Sequence, residues 1–145
     1  MTNPKDDFLA KKNIAVVGVS QKNKAFGNEA YRMLKQKGYK VYPVNVRGIT
    51  VDGEQSFKSL DELKGKIEAV LTVVPPSETE KIVADCVRLG IKNVWMQQGS
   101  SSEKAIKICQ DAGISEVHSA CIFMYANPSS IHGVHGMVWK VIGKY

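Results

Sequence analysis

Short apolar runs separated by amphipathic stretches repeat along this chain almost from end to end. Residues 14–19 (Ile-Ala-Val-Val-Gly-Val) are apolar without a break, which suits a central strand covered on both faces. Residues 40–45, 69–74, 93–98 and 116–121 predict four further strands. Between them lie helical patterns. Over 27–37, Ala30, Tyr31, Met33 and Leu34 make an apolar stripe that Gly38 ends; over 77–89, Ser77 is the expected cap and Gly90 the stop. A third helix is expected over 102–112, and Ser59 with Glu62 predicts a capping box on a turn at 59–63. Asp52-Gly53 marks a turn in a surface excursion over 50–57. Beyond Pro128, Val134, Val138, Val141 and Ile142 share one side of a last predicted helix. Strands joined by helices of this length require right-handed crossovers and yield a parallel sheet. The expectation is α/β: one three-layer αβα Rossmann-like domain over 1–145 with a five-stranded, mainly parallel sheet. A polar segment covers 1–12 and a C-terminal helix 127–145.

Such sheets gather ligands at the carboxyl ends of their strands, beside the first strand. The residues to inspect are therefore Gly18, Val19 and Ser20; Asn45 and Arg47; Val74 and Pro75; Gln97, Gln98 and Gly99; and Cys121. The first strand runs into a polar loop and then, after Phe26-Gly27, into a helix start. Helix N-termini carry unpaired N–H groups and partial positive charge, so this loop predicts a phosphate site. Gly18 lets the backbone turn and a ligand come close. Replacing it is expected to remove binding and spare the fold.

The details of the loop narrow the nucleotide. A dinucleotide fingerprint needs a second glycine two residues after the first and an acid closing the second strand. Here the next glycine after Gly18 is Gly27, and Asn45-Val46-Arg47 stands in place of the acid. No Gly-Lys-Ser/Thr sequence ends a Walker loop. Arg47 instead suits a phosphate on the adenosine ribose, either the 2′-phosphate of NADP or the 3′-phosphate of coenzyme A; its ordinary alternative is a solvated surface arginine. The long loop and the missing second glycine favour coenzyme A. A small NADP-dependent oxidoreductase or redox sensor is the alternative.

Composition changes this picture little. The 145 residues are 43% hydrophobic and 23% charged, with a net charge of +6, which suits a polyanionic ligand. The lysines are scattered without interleaved aromatics, so nucleic acid is not an expected partner. No apolar run is long enough to span a bilayer, and the polar first residues lack a signal-peptide core, so a cytoplasmic location is expected. Cys86, Cys109 and Cys121 are three, with no short paired spacing, and are expected as free thiols.

The segments 14–20, Phe26-Gly27 and Gly38-Tyr39-Lys40-Val41-Tyr42-Pro43-Val44-Asn45 resemble the small bacterial and archaeal CoA-binding proteins. Their domain is similar to that of succinyl-CoA synthetase α subunits and of ADP-forming acyl-CoA synthetases. The likeness continues through Val73-Val74-Pro75-Pro76, Val94-Trp95-Met96-Gln97-Gln98-Gly99 and Ala120-Cys121-Ile122. It implies a stand-alone binding or regulatory module for coenzyme A or an acyl-CoA. Gly18, Val19, Ser20, Phe26 and Gly27 would line the pyrophosphate, with Lys24 adding charge from the loop. Asn45 and Arg47 would lie beside the ribose and its 3′-phosphate. Val73, Val74 and Pro75 would wall the adenine, and Gln98 and Gly99 would border the pantetheine path.

Catalysis is not expected. In the synthetases the phosphate-carrying histidine lies on another domain, and no Ser-His-Asp set, carboxylate pair or nucleophile elbow is legible in this sequence. Cys121, at a strand end, is the candidate for a mixed disulfide with the CoA thiol; the ordinary role of such a residue is a small apolar core side chain. His118 with Cys121 and His132 with His135 have a spacing reminiscent of zinc, but residues three apart on a strand face opposite ways. No metal is expected.

Overall fold

The computed structural model describes residues 3–126. The chain begins with α1 (Pro4–Leu9), where Asn3 accepts a hydrogen bond from Lys5 N at 2.8 Å and Pro4 takes the first helical position. Then follow β1 (Asn13–Val17), α2 (Phe26–Gln36) and β2 (Lys40–Val44). A two-stranded ribbon, β3 (Thr50–Val51) and β4 (Glu54–Gln55), leads to a 3-10 turn at Leu60–Leu63. The rest is β5 (Ala69–Thr72), α3 (Pro76–Leu89), β6 (Asn93–Gln97), α4 (Glu103–Asp111), β7 (Ser115–Ala120) and α5 (Ile122–Ala126).

The five long strands form one sheet in the order β2-β1-β5-β6-β7, and every pairing in it is parallel. The chain steps from β1 outward to β2, then crosses back past β1 to β5. Successive crossovers on opposite sides of β1 open a crevice at the carboxyl ends of β1 and β5. Alternate residues of each strand feed two separate cores. Ile14, Val16, Ala69, Leu71 and Trp95 pack with α1, α2 and α5 on one face, while Ala15, Val17, Val70, Val94 and Met96 pack with α3, α4 and the 3-10 turn on the other. Burial of both faces explains why the strand sequences read as continuous apolar runs.

Pro43 within β2 is tolerated for a reason of position. Phe57 N donates to Pro43 O, and Asn45 N to Phe57 O, each at 2.8 Å, so the odd-numbered residues of β2 turn away from β1 toward the sheet edge. There the missing N–H of proline costs no ladder bond.

Several expectations need correction. The segment 1–12 is not merely polar: it carries α1, whose Phe8 is fully buried against Trp95, ring centroids 5.4 Å apart. Ser77 does not cap α3. Pro76, with its φ preset for a helix, takes the first position and leaves Pro75 as the N-cap, so Ser77 falls inside the helix. At the 3-10 turn Ser59 makes no side-chain cap, and Glu62 reaches back to Lys58 N at 2.9 Å, one residue earlier than a capping box requires. β1 and β5 stop at Val17 and Thr72, two residues short of the apolar runs; Val73 N still donates to Val17 O at 2.8 Å as the last bond of that ladder, and Val19 and Val73 remain in the core. The predicted helix of 127–145, with His132 and His135, lies outside the described residues.

Candidate functional site

Gly18 sits where β1 leaves the sheet, with φ +126°, and a Cβ there would come within 2.2 Å of Val73 O. Gly27, in the first turn of α2, is equally constrained: its Cβ would lie 2.3 Å from Gly18 O. The two glycines thus let the loop, the start of α2 and the end of β5 close on one another, backbone against backbone. This corrects the expectation for Gly18, since a side chain there strikes the protein's own backbone before it meets any ligand.

Asparagines hold the loop between these glycines. Asn28 is buried on α2; its Oδ1 accepts from Ser20 N at 2.7 Å, and its Nδ2 donates to Ser20 O at 2.8 Å and Lys22 O at 3.2 Å. Asn45, from the end of β2, donates to Val19 O and accepts from Arg47 N, both at 2.8 Å. Farther along α2, Arg32 donates to Asn23 O at 2.8 Å and pairs with Asp52 of the ribbon at 2.8 Å. Its hydrogen bonds hold the Asp52 carboxyl below the ordinary carboxylate range. Lys35 and Tyr31 both bond Glu54, which lowers that carboxyl; burial, and then Glu54, push the Tyr31 phenol up to about 12. The loop and the ribbon are therefore both fastened to α2.

Two helices open on the space in front of Gly18. A cavity of about 450 Å³ is lined by Gly18, by Ala25, Phe26 and Gly27 at the start of α2, by Val73, Val74, Pro75 and Pro76 at the start of α3, and by Gly99. Neither α2, with Ala25 at its N-cap, nor α3, with Pro75, has a side-chain cap. Gly27 and Ser77 are the second residues of their helices, where a backbone N–H has no acceptor within the helix. The positive ends of both helices thus border one open space, which Gly27 lines on the α2 side and Pro76, without an N–H, on the α3 side; such an arrangement suits anionic oxygens.

A second cavity of about 390 Å³ shares Gly18 and Val74 with the first. It extends from Asn45 and Val46 past Leu60 to Ile82 of α3, with Lys58, Lys81, Glu78 and Asp85 around it. Val46 is 80% exposed, an unusual state for a valine and one that leaves an apolar surface at the rim.

Of the residues singled out from sequence, Gly18, Phe26, Gly27, Asn45, Val73, Val74, Pro75 and Gly99 line one cavity or the other. Arg47 is exposed next to Val46. Ser20 and the exposed Lys24 belong to the loop, Val19 is buried beneath it, and Gln98 is half-buried beside Gly99. Cys121 is 2% exposed, packs in the core with Trp95 and Ile122, and lines neither cavity. His118 is exposed, with Nδ1 donating to Glu116 Oε1 at 2.6 Å. Sequence reasoning missed Asn28, Arg32 and the Leu60–Ile82 side of the second cavity. Asn28 left a faint signal, a polar residue in the first turn of a helix otherwise read for its apolar stripe.

The CoA binding domain family model matches residues 12–127. The chain belongs to the CoA-binding domain family. Coenzyme A is accordingly the cofactor for which this architecture is built, and the uncapped helix pair around Gly18 fits its phosphates. The chain is 31% identical over 128 residues to the α subunit of the ADP-forming acetate–CoA ligase II of Pyrococcus furiosus, covering 81% of this chain and 28% of that subunit. It therefore spans little more than a quarter of that relative, in which the domain is one part of an enzyme. YneT of Bacillus subtilis is 25% identical over 127 residues, covering 84% of this chain and 94% of its own length. Among solved structures, a hypothetical protein from Pyrococcus horikoshii superposes with a TM-score of 0.78 at 31% identity, covering 86% of this chain and 88% of that one. Among the described residues, no helix is long and apolar enough to cross a membrane.

Proposed function

We propose that this domain binds coenzyme A or an acyl-CoA without catalysing a reaction, as a binding or regulatory module of the cytoplasm. The observation that carries this reading is the convergence of Gly18 and two uncapped helix starts on one cavity. In this reading the pyrophosphate lies against Gly18, Val19, Ser20, Phe26 and Gly27, with Lys24 near it. The adenosine enters the cavity between Asn45, Leu60 and Val74, and its 3′-phosphate meets Arg47. The pantetheine leaves past Pro75, Gln98 and Gly99. Cys121 has no part, because its thiol is buried away from both linings.

The thiols support the non-catalytic half of the proposal. Cys86 and Cys109 are fully buried between α3, α4 and the sheet. Burial pushes both upward, Cys109 to about 12, so neither is a thiolate at neutral pH.

Isothermal calorimetry with coenzyme A, dephospho-CoA, NADP and NAD tests the reading. Micromolar binding of coenzyme A that exceeds the other three is expected. Arg47→Gln is expected to remove the preference over dephospho-CoA, which a charge-assisted contact sets at about 1.5–3 kcal/mol. Tighter binding of NADP than of coenzyme A would overturn the ligand assignment. Equal affinities of the native protein for coenzyme A and dephospho-CoA would remove Arg47 from the 3′-phosphate.

A further inference from the structure

Three hydroxyl side chains lie fully buried behind the walls of the Gly99 cavity: Thr72 at the end of β5, Thr79 in the first turns of α3, and Ser100 in the loop from β6 to α4. Ser100 Oγ is 2.9 Å from Thr72 Oγ1 and 2.6 Å from Thr79 Oγ1, whereas the two threonines are 3.5 Å apart. Ser100 is thus the hub through which the other two are joined. Buried hydroxyls are costly unless paired, and apolar residues of similar size would pack at these positions without that cost. What the hydroxyls add is direction: the β5–β6 ladder ends at Thr72 and Met96, and the hydroxyls carry the tie past that end, to the loop at Ser100 and to α3 at Thr79.

Those segments are the cavity walls. Thr72 precedes Val73, and Thr79 N donates to Pro75 O at 3.1 Å. Ser100 follows Gly99, and its N–H donates to Gln97 O at 2.7 Å, closing the turn on which Gly99 sits with φ +89°. A second tie runs outside the first, where Ser102 Oγ donates to Glu80 Oε2 at 2.7 Å. None of Thr72, Thr79 and Ser100 lines the cavity, yet all three are joined to residues that do.

We propose that the Thr72–Ser100–Thr79 triad is a positioning device that sets the gap between the Val73–Pro75 wall and the Gly99 wall. It thereby governs affinity for the part of the ligand that crosses Gly99. The proposal rests on the coenzyme A reading, in which that part is the pantetheine arm, while the adenosine end occupies the neighbouring cavity. Thr72, Thr79 and Ser100 would then discriminate between the whole cofactor and its nucleotide half without touching either.

Calorimetry with coenzyme A and with adenosine 3′,5′-bisphosphate, on the native protein and on Ser100→Ala, Thr79→Val and Thr79→Ser, tests this. Ser100→Ala and Thr79→Val are expected to weaken coenzyme A binding about tenfold and the bisphosphate less than about twofold; Thr79→Ser, which keeps the hydroxyl, is expected to restore native affinity. An equal loss for both ligands, or no loss for coenzyme A, would overturn the proposal. Should Ser100→Ala fail to fold, Thr79→Val and its serine counterpart carry the test. Amide hydrogen exchange on the ligand-free protein gives an independent readout. Ser100→Ala is expected to speed exchange at Val73, Glu78 and Thr79, the bonded amides of the first wall, together with residues 98–101, and acceleration confined to 98–101 would refute the coupling of the walls. If the native protein binds no coenzyme A, the functional reading fails, and the exchange experiment still decides whether the triad ties the walls.

Discussion

Helices α2, α3 and α4 all begin at the same rim of the sheet, where β1, β5 and β6 end, but they begin differently. Ser102 caps α4, accepting from Ala105 N at 3.0 Å, and Asn3 caps α1 in the same manner. α2 starts from Ala25 and α3 from Pro75, and neither residue supplies a side-chain cap. A good N-cap stabilises a helix by about 1 kcal/mol over alanine, so two uncapped helices side by side forgo stability that their neighbours keep. The two uncapped starts flank the crevice beside β1, and the capped α4 start stands one strand farther along. The rim is thus divided into a part where a side-chain oxygen caps the helix and a part where the helix starts have no side-chain cap.

The largest effect is expected where the uncapped part is held together. Gly18→Val is expected to cost about 3 kcal/mol or more of stability, from positive φ and the contact with Val73 O, and to lose coenzyme A binding with it. Urea denaturation alongside calorimetry reads both; a Gly18→Val protein of native stability would contradict the backbone packing described for this position. Next comes Ala25→Asp, which gives α2 the cap it lacks. Stability is expected to rise by about 1 kcal/mol while coenzyme A affinity falls more than about tenfold, because a carboxylate then competes with the phosphates for the same amides. Gain in melting temperature with unchanged affinity would mean that the α2 start is not the phosphate site. Asn3→Ala is the matched control at a capped helix start that lines neither cavity, expected to lose about 1 kcal/mol with coenzyme A affinity unaltered.

The smallest effect concerns the ribbon fastened to α2. Asp52 and Glu54 titrate below their ordinary values because of Arg32, Lys35 and Tyr31. Their contribution is therefore present above the ordinary carboxylate range near about pH 4 and is lost as pH falls through the lowered values. Hydrogen exchange in residues 49–57 is expected to quicken over that acid window, and less so in Asp52→Asn, which has already surrendered its share. Because both carboxylates are partly exposed, salt is expected to blunt the response.

How much of this was legible in the sequence differs by element. The strands and α2, α3 and α4 were, since a buried parallel strand demands an unbroken apolar run and a helix packed on one face demands a stripe. Gly38 and Gly90 were legible as stops, and Gly90 indeed closes α3 at φ +75°. α1 escaped notice although Asn3-Pro4 followed by Asp6 and Asp7 is a helix-start pattern, because one apolar turn around Phe8 is too short to show a period. Among the site residues, Gly18, Gly27, Asn45 and Val74 were found as strand-end or helix-start positions. Asn28, Arg32, Leu60, Ile82 and Ser100 were not, since each acts across a distance in space that no local spacing encodes.

The sequence by itself determined the order of the five sheet strands and of α2, α3 and α4, the parallel character of the sheet and a loop that lacks the common dinucleotide and Walker patterns. These follow from periodicity and from the turn preferences of glycine and proline, which act over a few neighbouring residues. Only the tertiary structure decided that the close approach of Val73 requires a glycine at position 18, that Cys121 belongs to the core, and that the uncapped starts of α2 and α3 border a shared cavity. The physical reason is that caps, close backbone approaches and buried hydroxyl contacts join residues that are remote in sequence, and whether a donor is satisfied depends on what folds against it.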